Sequence, residues 1–170
     1  MKKIVLLFAA FGLLTMTSCN NDDDNNYDQD TVAQVIETNG INFNSSNSFS
    51  QLITFDSQLY PYDMVLVYRQ GYDSAANVAI WELTPRNYNF DNGDIIGYDF
   101  NFTQNDVELY MLANFDLTLA SGTYTQNQVF RIVIIPGSLN GQGKKSVNYK
   151  DYNAVMKAYG LTESNVTKLK

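Results

Sequence analysis

From Ile95 to Phe102 the chain reads IIGYDFNF, and its apolar side chains recur at every second position. Ile96, Tyr98, Phe100 and Phe102 fall on one side, with Gly97, Asp99, Asn101 and Thr103 on the other. A repeat of two can bury one face only in an extended strand, because a helix would scatter the same residues around its circumference. The alternation recurs along the chain and predicts seven to nine strands, near 32–37, 48–55, 63–69, 77–83, 87–90, 95–103, 106–113, 115–119 and 128–135. In QVFRIVIIPG, Phe130, Ile132 and Ile134 oppose Arg131, Val133 and Ile135, so both faces are largely apolar until Pro136 and Gly137 stop the run. That is the pattern of a central strand. Turn signals (YPYD, QGYDSA, DNGD, TQND and ASGT) separate the runs at spacings typical of all-β folds. The fold class expected is mainly β, an antiparallel β-sandwich, with a closed lipocalin-like barrel as the alternative.

The period changes near the C-terminus. In DYNAVMKAYG, Tyr152, Val155, Met156 and Tyr159 stand at i, i+3, i+4 and i+7, and Gly160 follows where a helix cap needs it. A short helix near 150–160 is expected to pack on the sheet, with Thr162 capping a second short turn through ESNVTKL.

The other end of the chain has a different character. Met1, Lys2 and Lys3 precede IVLLFAAFGLL, eleven uncharged residues from Ile4 to Leu14. A membrane-spanning helix needs about 20, so the basic start and short apolar run fit a secretory signal peptide. Thr15-Met16-Thr17-Ser18-Cys19 then resembles the lipobox of bacterial lipoproteins, although Met16 stands where that pattern prefers Leu. The resemblance implies cleavage after residue 18, a diacylglycerol on the Cys19 sulfur, and an acylated new amino terminus. A free thiol behind an ordinary signal, or an uncleaved anchor, are the plainer readings. Cys19 is the sole cysteine, so no internal disulfide staples the fold.

Asn20–Asp30, NNDDDNNYDQD, is too poor in apolar residues to offset the entropy of ordering it and is expected to be a disordered tether over 19–30. Fully extended, its eleven residues reach about 40 Å. CNNDDD resembles the acidic stretch behind the cysteine of Bacteroidota lipoproteins exported to the outer face of the outer membrane. The resemblance implies a cell-surface location, with the periplasmic face as the alternative. YDFNFTQNDVELYMLANFDL, QNQVFRIVIIPG and the terminal helix also resemble lipoproteins of that phylum, a likeness that implies no activity.

Residues 31–170 are expected to form one domain. Without Lys2 and Lys3, nine of the eleven basic residues stand against eighteen acidic ones. Such a balance disfavours a nucleic-acid partner, whose phosphates are bound by lysine and arginine.

The chemistry is narrowed by exclusion. The chain has no histidine, which removes Ser-His-Asp and Cys-His arrangements and every histidine-ligated metal. GQGKKS, from Gly141 to Ser146, lacks the spacing of a phosphate-binding loop. Glu82 and Glu108, on two predicted strands, would form the carboxylate pair of a glycoside hydrolase if the strands lay side by side; the plainer reading makes each a polar strand position. Asp91, Asn92 and Asp94 around Gly93 offer oxygen ligands for calcium, a cofactor that a simple hairpin turn makes unnecessary. Trp81, Tyr60, Tyr62, Tyr68 and Tyr72 gather in one part of the sequence and would form a glycan-stacking face if exposed, whereas packing alone also places aromatic residues on strands. Three functions stay open: a non-catalytic binding or interaction domain with a protein or other partner, a glycan-binding lipoprotein, and a hydrolase using paired carboxylates.

Overall fold

The computed structural model describes residues 32–137 and 146–169. The expected signal peptide, Cys19, the expected tether and most of the Gly141–Ser146 loop lie outside them. Among the described residues, nine strands form two sheets. The five-stranded sheet contains β1 (Gln34–Glu37), β3 (Met64–Asp73), β4 (Val78–Leu83), β8 (Phe130–Ile135) and β9 (Val166–Lys168), in the order β4-β3-β8-β1-β9. The four-stranded sheet contains β2 (Ser50–Thr54), β5 (Arg86–Asn89), β6 (Ile95–Phe102) and β7 (Asp106–Ala113), in the order β2-β7-β6-β5. Neither sheet closes on itself, so the architecture is the sandwich and not the barrel.

Binary pattern explains the layering. β8 occupies the middle of its sheet and all six of its residues are buried, as its two apolar faces require. On one face Ile132 lies level with Ile36 and Val67. This row packs against Ile96, Tyr98, Val107 and Leu109 of the four-stranded sheet. On the other face Val133 lies level with Val35 and Leu66 and meets Tyr152, Val155 and Met156 of helix α2 (Tyr152–Ala158). The five-stranded sheet is therefore a middle layer with a separate core on each side. Each fully buried side chain in these rows contributes about 1.5–3 kcal/mol relative to exposure.

Helix α2 follows the expected pattern. The Asp151 side chain caps its start by accepting from the Ala154 amide at 3.0 Å. At the other end Gly160, at φ 68°, lets its own N–H reach the Lys157 carbonyl at 3.3 Å and the Leu161 N–H reach Met156 at 2.8 Å. This is a Schellman cap, and the buried Leu161 and Met156 supply its apolar contact.

Three segments differ from expectation. Residues 115–119 form no strand; Leu117–Leu119 is a 3-10 turn, because the Asp116 carboxylate caps it by accepting from the Thr118 amide at 2.9 Å. QGYDSA is no turn over its first four residues, since β3 continues to Asp73 while paired with β4. Thr162 opens a short 3-10 segment, Glu163–Asn165, but the chain then extends into β9, parallel to β1. Three residues are too few for an alternation to register, and the partner strand is about 130 positions away in sequence.

Candidate functional site

The predicted site residues are dispersed by the fold. Glu82 lies on β4 in one sheet and Glu108 on β7 in the other, so they are not cross-strand neighbours. Glu108 faces outward, accepting from the Ser50 hydroxyl at 2.5 Å and the Asn101 amide at 3.1 Å. Those two bonds hold its carboxyl below the usual range. The carboxylate pair proposed for glycoside hydrolysis does not assemble.

The aromatic row does not assemble either. Tyr68 is fully buried, packed edge-on to Tyr152 at 5.1 Å, with its hydroxyl donating to the Tyr149 carbonyl at 2.7 Å. Trp81 is half-buried beside Tyr152, with the Arg131 guanidinium 4.3 Å over its ring. Tyr60, Tyr62 and Tyr72 are exposed. However, Tyr60 and Tyr62 precede the first residue of β3 and Tyr72 is near its last, about 26 Å further along at 3.3 Å per residue. A single stacking platform cannot span that gap with Tyr68 turned inward.

What the fold assembles instead is a polar cluster between the sheets. Arg69 and Glu82 are register partners on β3 and β4, both facing the four-stranded sheet. The Arg69 guanidinium donates twice to the Gln128 side-chain oxygen, at 2.9 and 2.6 Å, and once to the Tyr88 hydroxyl at 2.9 Å. It lies 4.6 Å over the Tyr98 ring and 3.7 Å from the Glu82 carboxylate. Tyr88 donates to Glu82, and Arg86 reaches the other Glu82 oxygen at 3.0 Å. Burial, reinforced by the bond to Glu82, pushes the Tyr88 phenol above its ordinary value. Gly71 makes room for this arrangement: a Cβ there would stand 2.5 Å from the Glu82 carboxylate. Every charge in the cluster is engaged from within the protein.

A cleft opens beside this cluster. It has a volume of about 420 Å³ and lies between the β5–β6 turn and the segment that follows β7. Phe90, Phe115 and Tyr124 supply its aromatic surface, and Asp91, Asn92 and Asp94 its polar wall. Two of the sequence candidates for calcium are spent on the turn itself: the Asn92 amide donates to Asp94 at 2.7 Å, and its oxygen accepts from the Asp94 N–H at 3.1 Å. Gly93, at φ 87°, completes the hairpin. Among the described residues no group of three or more acidic, histidine or cysteine side chains converges as a metal site requires.

The walls are held in place by contacts within the protein. Asn114 accepts from the Ile95 N–H at 2.8 Å and donates to the Gly93 carbonyl at 3.0 Å, tying the turn to the end of β7. Tyr124, in the helical turn α1 (Gly122–Thr125), packs edge-on to Phe90 at 5.3 Å and against Tyr88 at 5.7 Å. Its carbonyl accepts from the buried Tyr98 hydroxyl. The cleft is thus the open end of an aromatic chain that runs through Tyr88 and Tyr98 to Arg69.

Of the expected residues, only the turn at 91–94 reaches the cleft; Phe90, Phe115 and Tyr124 come from three separated places. One signal exists in the sequence: Asn-Phe-Asp occurs at 89–91 and again at 114–116, and both phenylalanines line the cleft. Comparison with protein families, with curated proteins and with solved structures finds no match to the chain.

Proposed function

We propose that the chain is a lipoprotein anchored to the outer membrane through Cys19, carrying its folded domain at the cell surface as a non-catalytic binding module whose ligand site is the cleft between residues 90–94 and 115–124. The observation that carries the binding reading is the cleft itself. Its volume lies in the range of small-ligand sites, and its walls are held by Asn114 and by ring contacts of Tyr124. Binding is favoured over hydrolysis because Glu82 and Glu108 stand on different sheets and Glu37, Glu82 and Glu163 are each committed to arginine. The anchor reading rests on the lipobox-like run before Cys19. Two or three acyl chains on one residue would hold the protein on a membrane without any help from the polypeptide. No helix among the described residues is long and apolar enough to cross a bilayer.

Replacing Cys19 by Ala is expected to move the protein from the membrane fraction to the soluble fraction, and added protease is expected to cleave the wild type on intact cells. Retention of the variant in membranes would overturn the anchor, and full protection from protease would place the domain on the periplasmic face. For the cleft, nuclear magnetic resonance of the full chain in non-ionic micelles with a small-molecule panel is expected to shift amides at 90–96 and 115–124 ahead of any others.

A further inference from the structure

We infer that the cleft takes a small organic cation with apolar substituents, of the alkylammonium class; this rests on the cleft being the ligand site proposed above. The charged side chains that line it, Asp91 and Asp94, are both carboxylates. Aromatic faces carry negative potential, and cations bearing methyl groups are recognised by such surfaces. Phe90, Phe115 and Tyr124 supply the rings, Asp91 and Asp94 supply two carboxylates, and no lysine or arginine lines the space. Asp94 accepts a hydrogen bond from the Asn92 amide. The Asp91 carboxylate, by contrast, engages no other described residue in a hydrogen bond or ion pair. The nearby guanidinium groups do not supply the missing charge, since Arg69 is committed to Gln128 and Tyr88, and Arg86 to Glu82.

The same inventory separates this ligand from the other small molecules that fit the volume. An anion would meet two carboxylates and no cationic side chain. A neutral polyol can donate to the same carboxylates but brings no charge to meet them. An alkylammonium ion needs no donor from the protein. It would bury its methyl groups on the rings and place its charge beside Asp91, where the contact is attenuated by salt over a Debye length of about 10 Å at 0.1 M.

The test compares choline with its uncharged isostere 3,3-dimethylbutan-1-ol, using the full chain in non-ionic micelles, calorimetry for affinity and amide shifts for location. Choline is expected to bind at least about tenfold more tightly than the isostere, to shift amides at 90–96 and 115–124, and to weaken about fivefold or more in Asp91→Asn and with added salt. Equal binding of the two probes at these amides would overturn the cation and leave the cleft as a ligand site. Shifts there with glucose or calcium chloride but not choline would do the same. No shift with any of the four probes would overturn both the cation and the cleft.

Discussion

Arg131 is a buried charge whose partners come from three elements. It donates to Glu37 on β1 at 2.8 Å, to the Tyr152 hydroxyl at 2.6 Å, and to both Glu163 oxygens at 2.7 and 2.6 Å. Burial would raise the Glu37 carboxyl, but hydrogen bonds from Lys168 and Arg131 outweigh it and hold Glu37 below the ordinary range. Glu163 is lowered by Arg131 as well, although its side chain is 72 % exposed and water screens much of its effect. A carboxyl with a depressed folded value stabilises the protein above its unfolded value of about 4.3, and that stability disappears as pH falls through the folded value. Glu37→Gln is therefore expected to cost about 2 kcal/mol at pH 7, the worth of a hydrogen bond between charged groups. The gap between variant and wild type in urea unfolding should close as pH drops below 4. Parallel curves from pH 7 to 3 would show that the Glu37 charge contributes nothing. At this scale, the sequence placed Arg131 on a largely apolar strand without indicating a role for it. Its acceptors lie 94 positions before it and 32 after it, a separation no local pattern can report.

At the scale of elements, helix α2 was legible in the sequence, because its period and its glycine cap are both local. Its cap offers a clean measurement. A Cβ at Gly160 would meet nothing within 4 Å, so replacing it costs only the left-handed backbone. Gly160→Ala is expected to destabilise the protein by about 1–2 kcal/mol in chemical denaturation, and Gly160→Asn by less, since asparagine tolerates that conformation. Equal stability of Ala and Gly at this position would remove the Schellman cap from the account. The strands were legible where one face is polar, as in β6, or where both are apolar, as in β8. The 3-10 turn after Asp116 was misread as a strand, since Leu117 and Leu119 alternate over a length too short to distinguish the two.

Across the whole molecule, the C-terminal segment works as a clasp. β9 adds to the edge of β1, Leu169 donates to the Glu37 carbonyl at 2.9 Å, Lys168 pairs with Glu37 at 3.0 Å, and Glu163 closes over Arg131. Stopping the chain after Leu161 would keep α2 and its apolar contacts but strip Arg131 of one carboxylate and expose β1 as an edge. The truncated protein is expected to lose about 1–3 kcal/mol, the worth of a hydrogen bond to a charged group, since Arg131 keeps Glu37 and water screens the exposed Glu163, and to unfold at lower urea with a similar slope. A midpoint unchanged from that of the full chain would mean that the segment is an appendage.

The sequence by itself determined a mainly β fold with a short helix near its C-terminus, because alternation and helical periodicity are local records of which faces must leave water; that the sheets stack as a sandwich and do not close into a barrel was decided by the tertiary structure. The sequence also carried the lipobox-like run at Cys19, which is likewise local. Only the tertiary structure decided which side chains meet. It turned Tyr68 into the core, separated Glu82 from Glu108, and brought Phe90, Phe115 and Tyr124 around one cleft. Such meetings depend on strand order and on how the two sheets face each other, which the spacing of residues along one strand does not encode.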